Sequence, residues 1–283
     1  MYLQGKVRAL ILSKNWNRQI QVAFDTRTVS LTDFYIEFTS IFDVIEEPNE
    51  TSIYIKNLSQ STINSYIKKD NRFVLNAGDE NDTGTISTGY IIDTDTGWNG
   101  TDKDTSIIGL DTTDYYLNYY ISKTYKAGVL ASQIIDDLLK VIGITVGEIQ
   151  LVQDIQYVSG RVCNGKVRDI LRSIVINDCK TNLQIIQGAI FIRPISNGLG
   201  TGFILSAETG LIGSPEKMDN VENQPEDIRP THKCSCLLRY NIRPMVRIRV
   251  RSKTLNADAI VIRGKHEGSK RGKFETYMEL KVI

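Results

Sequence analysis

FYIEFTSIFDVIEEPNETSIYIKNLS, residues 34–59, decides the fold. Phe34 to Phe42 is rich in aromatic and β-branched residues, and Thr51 to Leu58 is a second run of the same kind, closing on Asn57-Leu58-Ser59. Between them Glu46-Glu47-Pro48-Asn49-Glu50 is a charged turn whose proline a continuing strand would not tolerate. The pattern predicts a β-hairpin or meander, not a helix. Ser59, Ser61 or Thr62 is placed to cap a short helix through Lys68, its side-chain oxygen accepting a first-turn N–H that has no helical partner.

Upstream, Val7 to Leu12 and Gln19 to Phe24 read as strands around a turn at Asn15-Trp16-Asn17, with Trp16 as a core cover. Downstream, Arg72 to Leu75 reads as a short strand broken by Asn76-Ala77-Gly78. A polar loop, a strand from Thr85 to Ile92, a loop from Asp93 to Gly100 and a strand from Thr105 to Leu110 follow. Short strands at this spacing predict a β-barrel or sandwich. From Asp79 to Asp114 there are nine Asp/Glu and one Lys, read as solvated turns. Calcium capture by Asp93/Asp95 or Asp102/Asp104 is disfavoured, because no Glu closes a twelve-residue loop.

The texture changes at Thr113. Asp114 to Tyr125 holds five tyrosines, and Tyr115, Tyr116, Tyr119 and Tyr120 are candidate contact residues, since such rings suit an interface as well as a domain seam. Leu130, Ile134, Leu138 and Val141 recur at helical spacing up to a stop at Gly143, and a second helix is expected from Lys166 to Asn177. A hairpin turning at Gln187-Gly188 follows. These elements make a small α/β domain over residues 116–196, after residues 1–115. Residues 197–229 are then a glycine-punctuated strand and an acidic linker.

Residues 230–283 are β again. Val246-Arg-Ile-Arg-Val-Arg251 alternates strictly, which puts Arg247, Arg249 and Arg251 on one face and the aliphatic side chains on the other. Ala259 to Arg263 is a second strand, Lys265 to Gly272 a basic turn holding His266, and Phe274 to Val282 a last strand.

Of the 283 residues, 41% are hydrophobic, as in a folded domain, and the apolar runs fall far short of the roughly 20 residues a membrane helix needs. The N-terminal MYLQGKVRALILSKNW shows no secretory pattern, so no export by that route is expected. The net charge of +1 conceals an asymmetry: from Arg229 onward there are 14 Lys/Arg against 4 Asp/Glu, and the preceding part holds 20 against 29. Opposite charge on two parts of a chain speaks about partners. Cys163, Cys179, Cys234 and Cys236 form no disulfide framework, and His232 beside Cys234-Ser-Cys236 has the wrong spacing for zinc pairs, so no metal or cofactor is expected. With two histidines and no nucleophile or phosphate-loop motif, the chain reads as non-enzymatic.

IYIKNLS, the capped turn and RFVLNAG, then Ile204 to Pro215 (ILSAETGLIGSP), then His266-Glu267-Gly268 leading to Phe274-Glu275-Thr276, resemble the baseplate hub proteins of tailed phages and of tail-like bacteriocins. The resemblance implies an α+β, mainly β chain with two tail-tube-like antiparallel β-barrels, residues 1–115 and 230–283, and an inserted small α/β domain. Residues 197–215 would complete one barrel. It also implies a homotrimeric ring of a contractile injection system or other phage tail, adapting a sixfold tail tube to a threefold spike. The implied partners are the chain itself, tail tube, spike, tape-measure and other baseplate proteins, with no membrane, and DNA only in transit through the channel. The implied location is the virion or tail-like particle, assembled in the host bacterial cytoplasm. No lysin-like extension is present, so murein cleavage is not implied. On this reading Arg247, Arg249 and Arg251 pair with the acidic segment of a neighbouring subunit. The alternative is a nucleic-acid-binding module using the basic C-terminal barrel, and a carbohydrate-directed enzyme with an unrecognised carboxylate pair is a weaker one.

Overall fold

The computed structural model describes residues 17–30, 32–112, 114–195, 198–218 and 225–283. The expected strand at Val7–Leu12 and the position of Trp16 lie outside the described residues, as does the middle of the acidic linker. The chain is mainly β and forms two compact units, one of residues 17–43, 49–110 and 198–283, the other of residues 44–48 and 111–195.

In chain order, β1 (Arg18–Phe24) and β2 (Arg27–Ser30) make a hairpin over Asp25, whose φ of 48° is one that Asp tolerates well. The opening stretch becomes β3 (Ile36–Asp43) and β4 (Glu50–Lys56), paired antiparallel. Ser59 caps α1 (Gln60–Tyr66), its Oγ accepting from the Thr62 N–H at 3.1 Å. Ser59→Ala is expected to cost about 1 kcal/mol in a urea melt. An unchanged midpoint would mean that water replaces the cap at no cost.

β5 (Arg72–Asp79) runs through Asn76-Ala77-Gly78, where a break was expected. Ala77 is buried, and Gly78 admits the β6 backbone, since a Cβ there would stand 2.2 Å from the Asp82 carbonyl oxygen. The acidic loops are also strands. β6 (Asp82–Asn99) and β7 (Asp102–Leu110) form one long hairpin turning at Gly100. Thr94 and Thr96 share a face with buried Ile107 and Thr105, while Asp93 and Asp95 take the other face beside Ile108 and Ser106. Alternation of Thr and Asp satisfies a strand as well as a loop once a partner supplies the ladder.

The second unit begins with α2 (Asp114–Asn118), β8 (Tyr120–Tyr125) and β9 (Val129–Leu130). α3 (Ala131–Ile142) buries Ile134, Ile135, Leu138, Leu139 and Ile142, leaves Val141 38% exposed, and stops at Gly143 in the left-handed region. β10 (Thr145–Ile149), β11 (Gln156–Tyr157) and β12 (Arg161–Lys166) precede α4 (Val167–Arg172), which widens into a π-helical turn over Ser173–Asp178. β13 (Asn182–Ile186) and β14 (Ala189–Arg193) are the expected hairpin, with Gln187 and Gly188 both at positive φ. β10 joins β14 in parallel, a pairing no local pattern predicts.

The chain returns to the first unit with β15 (Leu199–Ser206), β16 (Leu211–Lys217), β17 (His232–Leu237), β18 (Val246–Arg251), β19 (Asn256–Ser269) and β20 (Phe274–Val282). β19 extends well beyond the expected Arg263 and absorbs Lys265 and His266, so the expected basic turn shrinks to the few residues before β20. The described strands of this unit form one sheet in the order β16-β17-β20-β19-β3-β4-β7-β6-β5-β1-β2, with β18 on β19 and β15 parallel to β18. The β3–β19 pair, Glu37↔Ser269 to Asp43↔Arg263, joins strands from the two ends of the chain. Two apolar clusters pack on this sheet. One holds Phe24, Phe38, Ile53 and Phe73, the other Leu205, Cys236, Ile248, Val250, Val261 and Met278. Fully buried Phe24 and Phe73 each contribute roughly 2–3 kcal/mol of hydrophobic stabilisation.

Candidate interaction surfaces

β18 presents what its alternation predicts. Val246, Ile248 and Val250 are buried, while Arg247 and Arg251 are exposed on the opposite face with Arg249 partly so. Arg249 pairs with Asp258 on β19 at 3.1 Å. Among the described residues neither Arg247 nor Arg251 has an ion-pair partner, so two guanidinium charges of the ladder face solvent.

The acidic hairpin is partly neutralised from within. Lys56 Nζ lies 3.0 Å from Asp102 and 3.9 Å from Asp104, and Asn57 donates to Asp102 at 3.0 Å. These hydrogen bonds hold the Asp102 carboxyl below the usual carboxylate range. Asp93 accepts from the Thr94 N–H, Asp95 has no partner among the described residues, and Trp98 near the tip is 73% exposed. Sequence reasoning missed this edge, although the alternating Asp-Thr-Asp-Thr signal was present.

The tyrosine connector divides. Tyr116 is 1% exposed and sits in the core of the second unit with Ile134, Leu138 and Leu171, so it presents nothing to a partner. Burial pushes its phenol well above the ordinary tyrosine range. Tyr119 packs partly against the same core, and the Tyr115 side chain lies outside those described. Tyr120 is 63% exposed, its hydroxyl donating to Asn164 Oδ1 at 3.1 Å. The charged turn before β4 belongs to this unit as well, with Glu46 2.8 Å from Arg172 and Glu47 3.8 Å from Arg168.

His266, expected in a basic turn, lies on β19 and is 2% exposed. Its Nδ1 lies 2.9 Å from the Thr276 hydroxyl and its Nε2 3.0 Å from the Ile242 carbonyl, while its ring packs on Phe42 at 4.9 Å between centroids. A neutral ring with Nε2–H donating to the carbonyl and Nδ1 accepting from Thr276 satisfies both contacts. Burial lowers its pKa to about 3. Cys234 and Cys236 are buried on one face of β17, where burial pushes the Cys234 thiol up to about 12. A hollow of about 490 Å³ opens over the first unit's sheet, lined by Glu37, Thr39, Ser52, Tyr54, Ser106 and Glu267 among others.

By sequence, the chain matches no protein-family model and no curated protein. By structure, it resembles the 43 kDa tail protein of prophage MuSo2 from Shewanella oneidensis with a TM-score of 0.67 at 11% identity, covering 94% of this chain and 98% of that one. The tail protein from Neisseria meningitidis MC58 gives 0.67 at 10% identity, covering 94% and 97%. The chain has the phage tail-protein fold. An E. coli component of the type VI secretion system, described as structurally similar to the T4 bacteriophage tail proteins gp27 and gp5, aligns with a TM-score of 0.60 at 9% identity over 88% of this chain and 73% of that one. Within this tail-protein fold the candidate residues spread over two units and gather into no single site. What the fold displays is edges and charged faces.

Proposed function

We propose that this chain is a structural component of a phage tail or tail-like particle, and within it the baseplate hub: a homotrimeric ring joining the sixfold tail tube to the threefold spike and lining the channel. The observation that carries the reading is end-to-end similarity to two tail proteins, over 94% of this chain and at least 97% of each of theirs. The likeness to a type VI component described as similar to the T4 tail proteins gp27 and gp5 supports the hub reading. On this view the chain has no reaction to catalyse. Its work is to hold tube, spike and tape-measure protein in register, through faces such as the β18 arginine ladder and the exposed Tyr120.

The mass of the purified protein in solution tests this, measured by light scattering after size-exclusion chromatography. The expected value is three times the 31.9 kDa chain, either for the protein alone or after a spike protein is added. A strict monomer that ignores the spike and instead binds DNA would overturn the hub and favour a nucleic-acid module. Salt separates the two chemistries, because phosphate contacts release counterions and lose affinity steeply as salt rises.

A further inference from the structure

From Asp93 to Asn99, β6 pairs with β7 alone, because β5 ends opposite Tyr90, and the register there holds without a shift. The Lys103 carbonyl accepts from the Asn57 N–H at 2.7 Å, so Lys103 turns its backbone groups toward β4, and Thr105 and Ile107 follow by alternation. Opposite them, Thr94, Thr96 and Trp98 turn theirs away from β7, along an edge that no described strand covers. Among the described residues the one bond to these groups comes from a neighbour, with the Thr94 N–H donating to the Asp93 carboxylate at 2.9 Å. Asp93 and every residue from Asp95 to Asn99 are exposed. Such an edge is a template for another strand.

The unit's other outer strands offer less. β2 has four residues, and β16 is interrupted by Gly213, Pro215 and a register shift. β15 has a shift of its own, and Thr209 already bonds its Ile204 carbonyl and Ser206 N–H.

The sequence holds a matching strand. Residues 1–16, outside those described, carry Lys6, Arg8 and Lys14 and no Asp or Glu, and Val7 to Leu12 is strand-like. With Val7 set parallel and opposite Thr94, alternation brings Lys6 and Arg8 to Asp93 and Asp95. The Lys6 carbonyl then takes the Thr94 N–H as its ammonium draws the Asp93 carboxylate away. Leu10 lies over Gly97, which has open space where a Cβ would stand, and Ile11 covers Trp98. An antiparallel register with the same charge pairs spends Tyr2 to Arg8, Gly5 included, and leaves Ala9 to Leu12 unpaired.

The donor is another chain. Asn17 bonds Glu80 beside the start of β6, whereas the parallel register leaves Leu12 at Asn99, about 56 Å along the strand from Asp82. The residues from Leu12 to Asn17 reach about 18 Å at most. We propose that Lys6–Leu12 of one copy adds as a parallel strand to the Asp93–Asn99 edge of a second copy of this chain. The proposal deepens the ring reading above and rests on it. Donor and acceptor differ, so the contact is head-to-tail, and such contacts build rings when the rotation closes.

Charge reversal is the first test. Asp93→Lys with Asp95→Lys is expected to weaken self-association roughly tenfold or more, as is Lys6→Glu with Arg8→Glu, and all four together to recover most of it. Light scattering with and without spike protein reads this, and an unchanged urea melt shows that each variant folds. Ala9→Cys with Thr96→Cys sets two thiols opposite each other in this register, and the four native cysteines are buried. Oxidation with diamide is expected to link copies into dimers and trimers, and to link the antiparallel control, Gly5→Cys with Thr96→Cys, poorly. Links formed only within one chain, better linking of the control, or assembly unaffected by the reversals overturns this contact and leaves the ring standing. Absence of assembly of the unaltered chain at every concentration, with and without spike, overturns both.

Discussion

Lowering the pH from 7 to 4 is expected to cost this protein about 3 kcal/mol of stability through His266 alone. The ring is neutral in the fold, with a pKa lowered to about 3, against about 6.5 in the unfolded chain. Its contribution is therefore fully present above pH 6.5 and lost as pH falls, by about 1.4 kcal/mol per unit. Protonating Nδ1 would set an N–H against the hydrogen of the Thr276 hydroxyl, whose oxygen already accepts from the Arg239 N–H at 3.1 Å. The Nδ1 contact with Thr276 would be lost, while Nε2–H keeps its bond to the Ile242 carbonyl, which favours the charged ring but offsets only part of the cost of burying it. His232, also lowered by burial, acts in the same direction. Carboxylates held low by partners, such as Asp102 and Asp137, enter only nearer pH 4. Urea melts at half-unit pH steps between 7 and 4.5 isolate the histidines. His266→Gln should be less stable at pH 7 and much flatter across the window. A variant with the full wild-type slope would remove His266 as the cause.

Gly264→Ala is expected to destabilise by about 3 kcal/mol. At the middle of β19 this residue is paired with Met278 on β20 and Phe42 on β3. A Cβ there would stand 2.1 Å from the Tyr277 carbonyl oxygen and 2.7 Å from the Phe42 ring. The ring can turn aside, but the carbonyl is fixed in the ladder, so β19 and β20 must separate locally. The position matters because β19 joins the strands from the two ends of the chain. Gly202→Ala, with open space around its Cβ, is the matched control and should change stability by under about 0.5 kcal/mol. Equal melts for the two variants would show that the sheet shifts freely at Gly264.

Local chemistry made several elements legible. The Pro48 turn between two aromatic and β-branched runs, the Ser59 cap, the Gly143 stop and the alternation in β18 all depend on residues near in sequence. The resemblance carried by IYIKNLS and ILSAETGLIGSP pointed to a tail-protein fold, and the structural similarities agree. Asp93 to Gly100 was misread because Asp, Thr and Gly favour turns unless a distant strand supplies hydrogen bonds, and β7 supplies them. His266 was placed in a turn because its neighbours in sequence are charged, while on β19 its neighbours in space are Phe42, Thr276 and Ile242.

By itself the sequence determined where the capped helix, the Gly143 stop and several strands lie, which face of β18 is apolar, and the opposite charge of the two parts of the chain. Tertiary structure decided which strands meet, which tyrosine is core and which is surface, and which edges stay open. The division has one physical cause. Caps, turns and alternation act over a few residues, whereas pairing β3 with β19 closes a separation of more than two hundred, and no local signal records it.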